Sequence, residues 1–565
     1  MSQPWIRPIR RGPRFVPSVE DLAALVPDGA HVSIGGFHFV RQPIRLVEAI
    51  AARRPRGLTH VQWGGSLGLE ILLEAGAVDH LVFCFDSLEL FGSAPNFRAG
   101  LESGRVTAEE YTALELHHAL LAAVMNLPGL PLQAPVGSWR VKDPPPDGLV
   151  VSPAIEVDIV LLHAQRADDA GNVEIRGAQG LDRTLAFAGR RVLVTVEEIV
   201  EEGTFTDRAA VIPRQFVEAI AVVRDGAWPT SCQPFYSTDF QEVARRVSNG
   251  RFAADRSGSF GTVARHASET VWRRVEWPTI NMPVPLIADL MVAWLARRLD
   301  DTSMCSVGSA SSIATVAYLV AKADHAPGLT LVTHNGGYID VASRFASLSF
   351  GEASDFQTAA VVCGGDDSYR WFYQQSRVTD EVVGAAQIDA HGRTNNGWID
   401  LGDGRRVRLP GQGGMADVAN MHRNFILYSP RQSRRQLVDE VDWMSASRGL
   451  LGEAERAAMG YGPGEVVLIT DLAVFRLDPA TKRFAAESIH PGISVEQLSA
   501  ATGWSFEGRS PIPTTQLPTD REMATIRRVD PFGLRGLEFL PARDRLGSIQ
   551  AVLRSEAAFL EGIVA

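Results

Sequence analysis

An α/β fold built twice is what this sequence predicts, and three echoes between its halves carry the prediction. Asp28-Gly29-Ala30-His31-Val32-Ser33-Ile34-Gly35-Gly36 returns as Asp301-Thr302-Ser303-Met304-Cys305-Ser306-Val307-Gly308-Ser309. Gly57-Leu58-Thr59-His60-Val61-Gln62-Trp63-Gly64-Gly65 returns as Gly328-Leu329-Thr330-Leu331-Val332-Thr333-His334-Asn335-Gly336. Ala167-Asp168-Asp169-Ala170-Gly171 returns as Ile388-Asp389-Ala390-His391-Gly392. The echoes keep their order, so two related domains in one polypeptide are expected, spanning 1–270 and 271–565. Apolar runs of strand length alternate with amphipathic stretches, which predicts a mainly parallel sheet covered by helices in each.

The elements follow from that alternation. In the first half His31 to Ile34, Leu58 to Trp63, Leu81 to Phe85 and Ile159 to His163 read as strands. Pro43 to Ala52 and Tyr111 to Met125 read as helices, and on a helix Glu110 and Glu115 point in different directions. Around Asp143-Pro144-Pro145-Pro146-Asp147-Gly148 consecutive prolines predict an extended, exposed insertion loop. Between Asp255 and Pro285 apolar periodicity weakens and Gly, Ser, Arg and Pro accumulate, as in a connector. The second half then opens with a helix over Leu286 to Leu299, a strand around Met304 to Val307 and a helix over Ala310 to Ala323. The region from Leu437 onward, with a strand over Glu465 to Thr470, is expected to complete that half.

Composition narrows the function. A chain of 565 residues can bury two full cores, and a formal charge of -11 argues against general nucleic-acid binding. Arg7, Arg10, Arg11 and Arg14 are broken by prolines and lack the apolar core of a signal peptide. No apolar stretch reaches spanning length, so a cytoplasmic protein without a membrane partner is expected. Cys84, Cys232, Cys305 and Cys363 show no metal-ligand spacing, and no motif requires a metal.

Several motifs point to anion or oxyanion binding. Gly35-Gly36 follows a strand and precedes a helix, so its amides can face an anionic group, and Gly308-Ser309 repeats that context. Gly411-Gln412-Gly413-Gly414-Met415-Ala416-Asp417 places three glycines in four positions, a donor set suited to a developing negative charge. The plainer reading is a solvated loop in which Asp417 caps a helix. His334 sits on a glycine-flanked turn, where imidazole can act as base or donor near neutral pH. His38 and His163 are weaker candidates near the same cleft. Glu197, Glu198, Glu201 and Glu202 read as a solvated turn, and Asp168 and Asp389 as matching structural turns, with Asn395 and Asn396 beside the second. Arg41, Arg45, Arg53, Arg54 and Arg56 form a charge run that could rim an anion site but more simply reads as a solvated face.

Taken together, Asp28 to Phe37, Ala154 to Asn172, Val196 to Val200, Gly384 to Asn396, Gly411 to Asp417 and His490-Pro491-Gly492 resemble the family I CoA-transferases, the glutaconate type above all. The resemblance implies α-like and β-like subunits joined in one chain and an acyl-CoA site between them. A coenzyme A thioester is then the substrate, with no permanently bound cofactor. It also implies that Gly411, Gly413 and Gly414 serve the thioester oxygen, with Gly35, Gly36, Gly308, Ser309, Asn335 and Gly336 completing the oxyanion and CoA-binding set. A homodimer of the joined chain is compatible with this pattern.

One position departs from the family. The turn where those transferases carry a nucleophilic glutamate reads Thr333-His334-Asn335 here, and none of the three is a carboxylate. The sequence is also similar to a subset of two-subunit hydrolases that open a steroid-derived ring by water-dependent carbon-carbon cleavage. By that similarity an acid/base glutamate comes from the first half, at Glu110, with Glu109 and Glu115 as neighbours. Water-dependent opening of a cyclic keto acyl-CoA by His334 and Glu110 is therefore the leading expectation. Alternatives are a CoA-transferase using another carboxylate, such as Asp340, and a non-catalytic acyl-CoA binder.

Overall fold

The computed structural model describes residues 12–143, 145, 147–205, 211–253, 286–308, 311–333, 337–349, 353–506, 508 and 511–564. Ser309, His334, Asn335 and Gly336 lie outside the described residues, as do Arg7, Arg10, Arg11 and the expected 270/271 boundary.

The first half supplies β1 (Arg14–Phe15), β2 (His31–Ile34), β3 (Leu58–Gly65), β4 (Val78–Asp86), β5 (Thr107–Glu110), β6 (Gly129–Gln133), β7 (Leu149–Pro153), β8 (Val157–Asp168), β9 (Val173–Glu174), β10 (Gly189–Val200), β11 (Val211–Ile212) and β12 (Val217–Val222). Among the described residues, a parallel sheet runs in the order β1, β12, β10, β8, β2, β3, β4, β5, with β9 and β11 added antiparallel. Ile159-Val160-Leu161-Leu162 of β8 is buried throughout, which is why it reads as an unbroken apolar run rather than an alternating one. The proline-rich loop lies between β6 and β7, which pair as a separate hairpin, and Asp143 and Asp147 are exposed as expected.

The second half supplies β13 (Met304–Ser306), β14 (Thr330–Thr333), β15 (Tyr338–Ile339), β16 (Val361–Val362), β17 (Asp380–Gly384), β18 (Gln387–Ile388), β19 (Thr394–Asn395), β20 (Trp398–Asp400), β21 (Arg406–Arg408), β22 (Asn424–Ser429), β23 (Val466–Thr470), β24 (Ala473–Asp478) and β25 (Arg483–Ile489). Its main sheet runs β16, β15, β14, β13, β17, β22, β23, β24, β25, parallel from β14 to β23 and antiparallel at both ends. The region after Leu437 thus extends the second sheet. The helix Ala542–Val564 returns to pack on the helix Phe240–Asn249 and on Glu89–Phe91 of the first half. One buried apolar cluster includes Leu22, Phe39 and Phe83 together with Tyr318, Leu331 and Leu553, so both halves share it.

The echoes become equivalent places in the two sheets. Ser33 of β2 lies opposite Val160 of β8, and Ser306 of β13 lies opposite Glu381 of β17. Asp168 accepts a hydrogen bond from Asn172 N at 2.7 Å, and Asp389 accepts from His391 N at 2.9 Å and Arg393 N at 3.1 Å, each closing a turn with a positive-φ glycine. One local reading is corrected. Glu109 and Glu110 are not helical but end strand β5, and the helix Ala113–Val124 starts only after Thr112. Thr112 and Glu115 form a reciprocal capping box there, a start signal that sets the helix boundary after the preceding Ala and Glu residues despite their helical preference. No helix of the described residues is long and apolar enough to cross a membrane.

Candidate active site

In each sheet the chain winds outward from one strand in both directions: β2 has β3 on one side and β8 on the other, and β13 has β14 and β17. The crevice beyond the carboxyl ends at such a switch point is where open α/β sheets take ligands. A cavity of about 230 Å³ lies beside the second switch point and draws its walls from both halves. Phe37, Trp63 and Phe85 line it from the first half, and Gly308, Tyr369, Glu381, Asn396, Gln412, Gly413 and Gly414 from the second. The rings form a continuous wall across the halves, with Phe37 to Trp63 and Trp63 to Tyr369 centroids both 5.5 Å apart and Tyr373 stacked on Tyr369 at 4.5 Å.

The glycine loop is held by its own amides, two of them against the first half. Gly411 N donates to Asn396 O at 2.9 Å, Gln412 N to Glu110 Oε1 at 2.6 Å and Gly413 N to Cys84 O at 2.9 Å. Gly411 has φ +119°, and a Cβ there would sit 2.4 Å from Cys84 O, so close packing on β4 is what requires glycine. This corrects the expectation that Gly411 and Gly413 offer their amides to an oxyanion. The same correction applies to Gly35 and Gly36, whose amides donate to Leu161 O at 2.8 Å and Asp182 Oδ1 at 2.7 Å. Gly308 and Gly414 differ. Both line the cavity, and neither amide donates to any acceptor among the described residues.

Glu110 does not line the cavity. Besides Gln412 N it meets Arg408 Nη2 at 2.8 Å, both side chains buried, at an angle too bent for a full hydrogen bond, so the attraction is chiefly coulombic. The Arg408 guanidinium lies 5.2 Å from the Phe83 and Trp398 rings. Glu110 is therefore placed to hold the loop rather than to exchange protons with a ligand. Glu109 is mostly exposed and accepts from Tyr111 OH at 3.2 Å, while Glu115 is spent on the capping box and on Arg140 at 3.3 Å. Asp417 caps no turn of its own helix. Its Oδ2 accepts Leu114 N at 3.0 Å across the halves, and burial pushes its carboxyl up to about 7.

Glu381 is the site residue that sequence reasoning missed. It is 2% exposed on β17, with Oε2 accepting from Tyr373 OH at 3.0 Å and lying 3.5 Å from His422 Nδ1. Burial pushes its carboxyl up to about 7, against hydrogen bonds from Tyr373 and Ser306. Its Oε1 lies 3.3 Å from where a Cβ on Gly308 would be. The one available signal was the echo itself, since Val160 holds the matching place in the first copy. Asp340 is half-exposed, pairs with Lys322 at 2.9 Å and does not line the cavity.

Other candidates sort into structure. His38 lines the cavity with its ring against Phe37 and Phe85. His163 is buried in the first half, 2.9 Å from Thr195 Oγ1 and 2.8 Å from Glu197 Oε1. Glu197 is thus a strand residue in the core and not part of a solvated turn, which the apolar flanks of β10 explain. Burial pushes it up, but hydrogen bonds from His163, Asp225 N and Tyr236 outweigh that and hold it below its ordinary value. With Cys232 it brings three potential metal donors within 4.8 Å, yet hydrogen bonds already fill Glu197 and burial drives the thiol pKa well up. Arg41 is no surface cation but is buried on Asp182 at 2.6 Å and on the carbonyls of His163 and Ala178. Asn395 supports its own hairpin, donating to Gln387 Oε1 at 2.6 Å, whereas Asn396 lines the cavity. All four cysteines are buried and unbridged, and Cys84 reaches the cavity wall.

This architecture is shared with an acyl-CoA transferase. The structure of YdiF from Escherichia coli O157:H7, an acyl-CoA transferase in a thioester complex with CoA, covers 92% of this chain and 99% of its own at TM-score 0.67 and 17% identity, which shows the shared fold. Residues 16–222 and 289–501 match the coenzyme A transferase family, so the chain belongs to it, an enzyme family acting on CoA thioesters. The 3-oxoadipate CoA-transferase of Pseudomonas knackmussii matches through both of its subunits. One is 29% identical over 43% of this chain and 92% of its own length, and the other is 28% identical over 39% and 82%. Both kinds of subunit are thus represented in one polypeptide. The cholesterol ring-cleaving hydrolase IpdA subunit of Mycobacterium tuberculosis is 30% identical over 40% of this chain and 84% of its own.

Proposed function

We propose that this enzyme opens a cyclic keto acyl-CoA by water-dependent carbon-carbon cleavage and leaves CoA on the product. The observation that carries the reading is the sequence following β14, which reads Thr333-His334-Asn335 where the family's nucleophilic glutamate is expected. Without a carboxylate at these positions, no acyl anhydride forms there, and imidazole can instead take a proton from water. The likeness to the IpdA subunit, whose name is that of a ring-cleaving hydrolase, supports it. Gly308 and Gly414, whose amides remain uncommitted among the described residues, suit the thioester oxygen. Glu110 serves this reaction by fixing the loop.

CoA transfer is the second reading, because a carboxylate, Glu381, does line the cavity. Glu381 sits on β17 with one carboxyl oxygen held by Tyr373, and not on the segment after β14 where the family's nucleophile is expected, which favours the hydrolase. Intact-protein mass spectrometry after incubation with an acyl-CoA panel separates them. The hydrolase leaves the chain at its own mass, whereas a hydroxylamine-sensitive CoA adduct would overturn the proposal.

A further inference from the structure

We propose that Glu381 is the proton-exchanging group of the cavity, acting on the carbon next to the thioester carbonyl of the bound acyl-CoA. The inference rests on the acyl-CoA reading above but not on the hydrolytic step. Its first support is placement. In two sheets built alike, the residue opposite the β2 serine is Val160, fully buried, and the residue opposite the β13 serine is Glu381. A carboxyl in a central parallel strand costs free energy that valine does not, so the second copy carries an acid where packing alone asks for an apolar side chain.

Its second support is geometry. The two carboxyl oxygens face different surroundings. Oε2 is held by Tyr373 OH at 3.0 Å, which is itself in short contact with Ser306 Oγ, and His422 Nδ1 stands 3.5 Å away. Oε1 points toward Gly308, where the missing side chain leaves the carboxyl open to the cavity and the neighbouring amide is uncommitted among the described residues. The titratable groups around Glu381 are Tyr318 on the helix Ser312–Asp324, Tyr369 and Tyr373 on the turn Tyr369–Tyr373, and His422 after the helix Met415–Met421. Asp380 precedes it on the strand and bonds Asn424 Nδ2 at 2.9 Å on the opposite face. Burial raises Glu381 to about 7, so both protonation states are populated near neutrality, as proton exchange requires.

The step is balanced without another reactant. The carboxylate takes the proton from the carbon next to the carbonyl, the C–H electron pair enters the enolate, and the charge settles on the thioester oxygen beside Gly308. In reverse, the neutral carboxyl returns the proton to an enolate, including one released when an adjacent carbon-carbon bond breaks.

Exchange in deuterium oxide with cyclohexanecarbonyl-CoA tests this, because that probe has the required C–H bond and no keto group to cleave. The full-length wild-type chain is expected to place deuterium beside the carbonyl, and Glu381→Gln to slow that exchange by about 10²- to 10⁴-fold. Tyr373→Phe removes a hydrogen bond that lowers the Glu381 pKa, so the midpoint of the pH profile should move upward, which a merely structural role would not produce. Exchange by Glu381→Gln at the wild-type rate overturns the proposal. If that variant does not fold, an unmoved midpoint in Tyr373→Phe overturns it instead. Binding without exchange by the wild type also overturns it while leaving the acyl-CoA reading intact, whereas failure to bind acyl-CoA at all removes both.

Discussion

The Glu110 and Arg408 pair joins the two halves through buried charges, and breaking it from one side should cost far more than removing it. Glu110 ends β5 of the first sheet and Arg408 ends β21 of the second half, with side chains 7% and 2% exposed and 2.8 Å between them. Glu110→Gln keeps an acceptor for Gln412 N but leaves the guanidinium buried among Phe83, Phe97 and Trp398 without its counter-charge. Removing one partner of such a pair costs about 3–5 kcal/mol, most of it the desolvation of the charge left behind. Replacing both, as in Glu110→Leu with Arg408→Met, exchanges two desolvated ions for apolar volume and should fall within about 1 kcal/mol of the wild type or above it. Urea unfolding at pH 7 and low salt of the full chain as wild type, Glu110→Leu, Arg408→Met and the double variant gives the four corners of the cycle, with Glu110→Gln measured beside them. Equal losses in the single and double variants would refute the reasoning, because stability would then depend on side-chain volume and not on charge compensation. The same variants separate the two roles considered for Glu110, since a loop-positioning residue should weaken acyl-CoA binding as well as turnover.

Three further outcomes follow from the geometry. Gly411→Ala combines a φ of +119° with a Cβ 2.4 Å from Cys84 O, so it should destabilise by at least about 2 kcal/mol, read as a lowered thermal midpoint. Glu381 has a folded-state pKa raised from 4.5 to about 7, so its neutral form favours folding. Stability relative to Glu381→Gln should be greatest below about pH 4.5 and fall as pH rises through about 7, by roughly 3 kcal/mol in all, which denaturant titrations at both ends would measure. Asp417→Asn keeps the Leu114 N acceptor at 3.0 Å while removing a carboxyl raised from 3.8 to about 7, so it should leave unfolding below about pH 3.8 nearly unchanged and stabilise the chain at pH 8.5.

The fold was legible because burial on both faces writes itself into the chain as unbroken apolar runs, and because the same runs occur twice. The turns at Asp168 and Asp389 were legible for a similar local reason, an acid followed three residues later by a glycine with positive φ. What escaped was set by partners far away. Glu110 was read as an acid/base residue because nothing near it in sequence reveals Arg408, and the glycine loop was read as a donor array because the carbonyls of Cys84 and Asn396 lie on other segments. Glu197 looked solvated among four acids, yet β10 carries it into the core against His163. Glu381 is second in the run Asp380-Glu381-Val382-Val383-Gly384, where a charged start resembles an ordinary strand end, and its pairing with Ser306 shows it to be interior.

The central claim is that water, and not a second acid, ends the reaction. Incubating the full-length chain with cyclic keto acyl-CoAs in oxygen-18 water, with and without acetate or succinate, tests it by mass spectrometry of the products. Heavy oxygen in one new carboxylate, with CoA still on the same product and no effect of the added acids, is the predicted result. CoA appearing on acetate or succinate, with no ring opened, would contradict it.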